Sequence, residues 1–242
     1  MEFDFELATG QDDGAIRRLL ASSAMPGRLT VTFEREPNYF MGCGTMGHFC
    51  QVIVARHRRS GELAGIACRA GRPHFINGQE QPVGYIGQIR IAEQYQSLWL
   101  LARGLPFFRQ LHADGRVRVY YGVISDENQV ARGVLVERPR RSFPAAREVA
   151  RIYTAGIILR KPQAPLPSSF QVRRGSPQDI GALVAFLRQQ GAAKQFFPAY
   201  SEDDFGNSPS TRGFDVRDFI VAFQGGQLMG VVGLWDQSGY KQ

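Results

Sequence analysis

Apolar and acidic side chains alternate over residues 3–7, which is the pattern of a β-strand with one buried face. The next segment changes to helical spacing, with Asp12 or Asp13 available as its N-cap. The apolar side of that helix is predicted to carry Ile16, Leu19 and Leu20. The chain therefore opens with a strand followed by an amphipathic helix.

The remaining pattern predicts a sheet domain with further helices. Gly104 and Pro106 are expected to interrupt the long helix. The predicted elements are strands over 49–55, 62–70, 81–91, 117–124 and 150–159, a helix over 94–112 and a short helix over 128–135. This order indicates an α/β or α+β fold with mixed strand directions.

Part of the pattern occurs twice. FELATGQDDGAIRRLL near the start is similar to FQVRRGSPQDIGALVAFL, with Phe5 aligned to Phe170 and a two-residue insertion before the helix. VIVARHRRSGELAGIA is similar to FIVAFQGGQLMGVVG. We therefore predict a complete domain over residues 1–161, a Pro-rich linker over 162–169, and the N-terminal half of a second such domain over 170–242.

The 242 residues carry 29 Lys+Arg and 22 Asp+Glu, a net charge of +7. The positive excess lies before Ser168, because the residues from there onward balance. A basic region attracts nucleic acid, phosphorylated cofactors or anionic lipid, and an arginine-rich solvated face gives the same composition. The basic runs RHRRS and RPRRS lack interleaved aromatics, so nucleic-acid binding is not favoured.

The cysteines, the histidines and the apolar runs argue against a disulfide-rich, metal-binding or membrane protein. The three cysteines form no CxxC, and the four histidines form no metal-binding spacing, so neither a disulfide scaffold nor a metal site is expected. No apolar run is long enough to span a membrane, and the acidic N-terminus lacks a signal-peptide layout. A cytoplasmic protein is expected.

The element order and its landmarks resemble the GCN5-related N-acetyltransferase superfamily. The resemblance covers residues 3–160 as a whole domain and 170–242 as the first half of another. It implies a mixed, mostly antiparallel central sheet flanked by helices, in a tandem arrangement. In this family a strand like YIGQIRI diverges from its neighbour and pairs with the pantetheine arm of acetyl-CoA, and the next helix N-terminus holds the pyrophosphate.

The family's cofactor positions carry over residue by residue. Asn128 corresponds to the asparagine that opens the later helix. The other cofactor-binding positions are the strand backbone of Ile89, Arg90 and Ile91 and the loop residues Gln96, Ser97, Leu98, Trp99 and Leu100. The loop departs from the family pattern because larger residues replace its glycines. Trp99 is expected either to fill the phosphate space or to anchor the core.

The catalytic positions also depart from the family pattern. Gln88 stands where family enzymes place an acidic base, and Tyr121 replaces a tyrosine acid usually found on the later helix. Tyr121 is also compatible with a packing role, and Gln88 with that of a strand amide paired to backbone. Residues 34–36 either contact a charged acceptor or form a solvated turn, and GCGTMG at 42–47 is expected to be a mobile loop where acceptors enter.

The resemblance implies an N-acyltransferase that moves an acetyl or other acyl group from acyl-CoA to an amine acceptor by direct attack. The alternative is a non-catalytic acetyltransferase-like module that binds a ligand or partner through a degenerate phosphate loop. The second segment is expected to pack on the first unit or to build one wall of an acceptor cleft. Homo-oligomer formation is left open.

Overall fold

The computed structural model describes residues 2–24, 32–96, 98–137, 143–156, 169–206 and 208–241. Its strands are β1 (Phe3–Leu7), β2 (Phe49–His57), β3 (Leu63–Ile76), β4 (Gln79–Ile91), β5 (Val119–Tyr121), β6 (Phe170–Arg174), β7 (Phe197–Pro198), β8 (Phe219–Gln224) and β9 (Gln227–Gly233). Its helices are α1 (Asp13–Ser22), α2 (Tyr39–Cys43), α3 (Leu98–His112), α4 (Gln129–Arg132) and α5 (Ile180–Ala192).

The main sheet has the strand order β1-β2-β3-β4-β5, and β7 pairs with the far end of β3. Every pairing in it is antiparallel except that of β4 with β5. Helix α1 packs against the sheet through Ile16, Leu19 and Leu20, all of which are buried. The predicted class, a mixed and mostly antiparallel central sheet flanked by helices, is confirmed.

The entry to α1 is capped differently from the prediction. Thr9 and Asp12 form a capping box around a 3-10 turn, and the Thr9 N–H donates to Asp12 Oδ2 at 2.7 Å. Asp13 does not cap either, because its Oδ1 accepts the backbone N–H of Tyr39 at 2.7 Å. Both acidic side chains therefore tie the start of the helix to other segments.

Helix α3 runs without interruption through Gly104 and Pro106. Gly104 lies against the Phe5 ring, where a Cβ would approach that ring to 3.1 Å. The predicted interruption was therefore wrong, and the glycine instead allows the helix to pack closely on β1.

Two strand predictions fail near the end of the first unit. Strand β5 covers only Val119–Tyr121 of the predicted 117–124. Residues 150–156 form no strand, and 157–159 lie outside the described residues. Ile152 and Tyr153 are largely exposed. An apolar, β-branched segment becomes a strand only where a neighbour supplies backbone partners, and residues 150–156 have no such partner among the described residues.

The second sheet, β6-β8-β9, repeats the pairing of the first three strands. Phe5 faces Ala55 in the first sheet, and Val172 faces Ala222 in the second. A register shift follows Ala55 and Ala222 alike. From the first strand to β2 and β8 the two segments therefore correspond at one offset, so the two-residue insertion before the helix was wrong. The second segment is instead two residues shorter in the hairpin, because Ala55 faces Gly65 whereas Ala222 faces Gly230.

Asp204 joins the second segment to the first sheet. It is buried, and its Oδ1 accepts from Arg72 Nη2 at 3.1 Å and lies 3.0 Å from His48 Nε2. Ser210 also donates to Oδ1 at 3.0 Å. Together with the β3–β7 pairing, this carboxylate holds the second segment against the main sheet.

We predict that Asp204→Ala lowers the free energy of unfolding by about 3 kcal/mol, because it leaves the buried Arg72 without its carboxylate. Denaturant titration measures this loss. Asp203→Ala removes an exposed neighbouring carboxylate and is the matched control. If both variants lowered the free energy of unfolding equally, Asp204 would not be the residue that holds the second segment against the main sheet.

The same carboxylate predicts a pH dependence. Burial raises the pKa of Asp204, but the Ser201 N–H, His48 and Arg72 together hold the pKa below its usual value. A depressed folded pKa stabilises the protein above the unfolded pKa, and that contribution is lost as the pH falls through the folded value. Asp204→Ala should therefore reduce the loss of stability on acidification, as thermal unfolding over an acidic pH series would measure.

Candidate active site

Strands β4 and β5 lie side by side for a short distance and then separate. They pair in parallel at three positions, from Val83 with Val119 to Tyr85 with Tyr121. Beyond Tyr85, β4 remains paired with β3 up to Ile91. Among the described residues no strand pairs with the other edge of β4 over 86–91. One edge of β4 therefore borders a gap.

A β-bulge in β4 lies at this gap. On β3, Ile66 faces Arg90 and Cys68 faces Gly87, so β4 contains an extra residue between these pairs. Gln88 within the bulge has φ of 52°, in the left-handed region that non-glycine residues rarely adopt. Because a bulge bends its strand and breaks the ladder locally, it accounts for the turn of β4 away from β5.

The Gln88 side chain is fully engaged in holding this bulge. Its Oε1 accepts from the Tyr39 hydroxyl at 2.7 Å, and its Nε2 lies 3.6 Å from Met46 Sδ. Burial raises the pKa of Tyr39 well above its ordinary value, so the phenol remains a donor. An amide does not take a proton at neutral pH. The geometry therefore favours a positioning role for Gln88 over that of a base.

Two phenols stand where the gap opens. The Tyr85 ring covers Gly87, where any Cβ would collide with the phenol oxygen. The Tyr121 ring lies 5.3 Å from that of Tyr85, and also contacts the rings of His74 and Phe196. Burial raises the pKa of Tyr85 and Tyr121, so both phenols hold their protons at neutral pH. Each phenol is therefore chemically able to donate a proton.

Trp99 lies in the first turn of α3 and does not anchor the core, which was one of its two expected roles. Trp99 is 41% exposed, with its ring centroid 5.9 Å from that of Phe3 and the Arg103 guanidinium carbon 4.0 Å from the indole centroid. Leu100, not Trp99, enters the core beside Ala55 and Ala64. Trp99 therefore lies over β1 at one side of the helix.

The structure describes most of the other positions that the sequence resemblance assigns to cofactor binding. Gln96 is exposed at the start of α3. Ser97 and the Leu98 side chain lie outside the described residues. Asn128 Oδ1 accepts the Ala131 N–H at 3.0 Å and so caps α4. Ile89, Arg90 and Ile91 lie on the β4 segment that borders the gap.

The segments on both sides of α2 are more ordered than the sequence indicated. Residues Gly44–Met46 form a 3-10 turn, and Gly47 lies so close to Gly71 that a Cβ would approach its carbonyl oxygen to 2.6 Å. The expected mobile loop was therefore wrong. Arg35 is only 7% exposed, so a solvated turn does not describe it.

Sequence reasoning missed Tyr39 and Tyr85. The sequence did contain a signal for Tyr85. Tyr85 and Gly87 are two residues apart and so lie on the same face of the strand, where the glycine leaves room for the tyrosine ring. The contact of Tyr39 with Gln88 joins residues 49 positions apart and leaves no local pattern.

Free thiols lie behind the bulge. Cys50 Sγ is 3.3 Å from Cys68 Sγ, and Cys68 Sγ is 3.5 Å from Met46 Sδ. The hydrogen bond with Cys50 and burial raise the pKa of Cys43, so it remains a thiol. In the described part of the chain no group of three His, Cys, Asp or Glu side chains is arranged to hold a metal. Nor does any described helix have the length and apolar character needed to cross a membrane.

Comparison with known proteins gives structural neighbours only. No family model matches the chain, and neither does any curated protein sequence. Glucosamine-6-phosphate N-acetyltransferase from Arabidopsis thaliana is 16% identical, with a TM-score of 0.43 over 64% of this chain and 99% of that one. A ribosomal-protein-alanine N-acetyltransferase from Brucella melitensis is 14% identical, with a TM-score of 0.44 over 65% and 99%.

A third neighbour is AAC(6')-Iy in complex with the bisubstrate analogue CoA-S-monomethyl-acetylneamine. It is 16% identical, with a TM-score of 0.46 over 67% of this chain and 100% of that one. Likenesses of this size carry no conclusion about substrate or site. By its own strand order and the separation of β4 from β5, the described fold fits a GCN5-related N-acetyltransferase domain.

Proposed function

We propose that this chain is an N-acyltransferase that moves an acetyl or other acyl group from acyl-CoA to an amine acceptor. The observation that carries the proposal is the gap between β4 and β5 beyond Tyr85 and Tyr121, with the bulge at Gln88 beside it. The unpaired edge of β4 over 86–91 suits an extended, amide-containing chain, which would pair with it as an added strand does.

The acyl-CoA phosphates would lie at the N-terminus of α3. Helix N–H groups and the helix dipole favour anions there, and this interaction needs backbone rather than particular side chains. Arg103 is exposed and lies about one helical turn after Trp99. It therefore adds a positive charge near the N-terminus of α3. The replaced glycines in the loop therefore weaken this site without removing its electrostatic basis.

The chemistry would be direct attack of the amine on the thioester carbonyl. Backbone N–H groups beside the bulge would polarise that carbonyl, as preorganised donors do in acyl transfer. The leaving thiolate needs a proton, and Tyr121 stands at the mouth of the gap with its phenol protonated. Placing the reactants together supplies much of the remaining acceleration.

The second segment would be a partial copy of the first that serves as a wall of the site. Its strands repeat the register of β1 and β2, and Phe196 brings an aromatic ring against Tyr121. The tandem arrangement, the domain boundaries and a reducing, cytoplasmic setting for the free cysteines remain parts of this proposal.

One observation favours the alternative, a non-catalytic acetyltransferase-like module. Gln88 replaces an acidic base and both of its side-chain polar atoms already have partners. Such a module would bind acyl-CoA or another ligand without transferring the acyl group. Acyl transfer to any member of an amine panel would exclude this alternative.

We predict that acetyl-CoA raises the melting temperature of the protein, because a ligand that binds only the native state stabilises it by mass action. Arg103→Ala should lower the affinity for acetyl-CoA several-fold, because a charge near a helix end contributes about 0.5–1 kcal/mol. Calorimetric titration measures this affinity. Arg118→Ala removes another exposed arginine and is the control. No melting shift at millimolar acetyl-CoA would contradict the proposal.

We also predict that Tyr121→Phe lowers kcat by about 100-fold, the scale of general acid catalysis, with little change in KM for acyl-CoA. Steady-state kinetics measures both constants. Tyr153 is 90% exposed, so Tyr153→Phe is the control. If Tyr121→Phe keeps its kcat, Tyr121 is a packing residue and the thiolate leaves without its proton.

A further inference from the structure

Arg35 is a buried arginine that forms no salt bridge with any of the residues that the structure describes. Its side chain is 7% exposed, and its Nε and Nη1 atoms have no hydrogen-bond partner in the described part of the chain. The position is fixed by packing, because a Cβ on Gly42 would lie 3.0 Å from Arg35 Cδ and 3.5 Å from the Tyr240 carbonyl oxygen. Arg35 therefore packs against Gly42 of α2, which also lies close to the Tyr240 carbonyl oxygen of the second segment.

Arg90 presents a second such charge in the same region. Its Nε is also buried without a partner among the described residues, and its Nη1 donates only to its neighbour's carbonyl, Ile89 O, at 2.9 Å. Its guanidinium carbon lies 5.9 Å from the Phe33 ring, two residues before Arg35. Burial lowers the pKa of Arg90.

Tyr85 is within electrostatic range of both arginines. Burial raises the pKa of Tyr85, and the positive charges of Arg35 and Arg90 both oppose that rise. The phenol of Tyr85 covers Gly87, next to the bulge at Gln88. The two guanidinium groups therefore stand near one edge of the proposed reaction site.

Neither arginine forms a salt bridge among the described residues, although acidic residues lie close in sequence. Glu36 pairs with Arg17, and Asp13 serves both Arg17 and the Tyr39 N–H. A buried guanidinium without a counter-charge is unfavourable by several kcal/mol, on the order of the cost of breaking a buried pair. Two such groups together indicate a site for an anion supplied from outside the chain.

We propose that the amine acceptor carries an anionic group, a carboxylate or a phosphate, that binds Arg35 and Arg90. This inference rests on the proposed acyltransfer function and names its substrate class. Arginine binds both kinds of anion through paired hydrogen bonds, which a lysine does not offer. Polycationic acceptors are excluded by repulsion from the same two charges.

The two arginines also bear on the missing base. An anionic group within the acceptor raises the pKa of its ammonium group, and pairing of that anion with the two arginines removes this rise and favours the neutral amine. The amine then enters the reaction as a nucleophile, and its proton goes to solvent. The substitution of Gln88 for an acidic base is consistent with this arrangement.

Matched acceptor pairs test the proposal by acetyl transfer. Phenylalanine is compared with phenylalaninamide, and glucosamine 6-phosphate with glucosamine, so that each pair differs in the anionic group. We expect at least one anionic member to exceed its partner in kcat/KM by about tenfold or more, the scale of one charged hydrogen bond. Arg35→Met and Arg90→Met should abolish that preference, while Arg59→Met, at an exposed turn, keeps it.

A second measurement needs no acyl-CoA and separates this inference from the proposed function. Arginine Nε–H signals are followed by NMR as inorganic phosphate or acetate is added, with Arg35→Lys as a variant that retains the charge. Saturable shifts of two signals, one lost in Arg35→Lys and the other in Arg90→Met, support the anion site even if acetyl transfer fails. Acetyl transfer with no preference within either pair, or unshifted Nε–H signals at millimolar anion, overturns the inference while leaving acyl-CoA binding intact.

Discussion

The bulge at Gln88 is the constraint on which the site depends. It inserts one residue into β4 opposite β3, holds Gln88 at a positive φ, and separates β4 from β5 beyond Tyr85. A strained backbone of this kind persists only where its surroundings fix it. Here the buried Tyr39 hydroxyl and Met46 hold the Gln88 side chain from behind. Gln88, which the sequence resemblance aligns with an acidic base, thus has a structural role in the bulge.

The second segment completes the environment of the same gap. Asp204 binds Arg72 at the centre of the contact, and Phe197–Pro198 extends the sheet beside β3. Phe196 then lies against Tyr121, and the Tyr240 carbonyl lies close to Gly42 and Arg35. Under the proposed function, the second segment would in this way supply walls to the site.

Much of the fold was predictable because it depends on local periodicity. The strand over 3–7, the helix with Ile16 and the strand over 49–55 follow from apolar spacing alone. Strand β3 continues to Ile76, six residues past its predicted end at 70. The strand predicted over 150–159 failed in its described part, 150–156, because strand formation also requires a partner. The site was less predictable, since Tyr39 meets Gln88, and Arg35 approaches Tyr85, only through tertiary packing.

Hydrogen–deuterium exchange of the β4 backbone tests the central claim most directly. If the gap beside β4 receives the pantetheine arm of acyl-CoA, amides over 86–91 become protected when CoA is added, because the unpaired edge gains hydrogen-bond partners. Amides of β8 in the second sheet should exchange at the same rate with or without CoA. Unchanged exchange over 86–91 under saturating CoA would contradict the account.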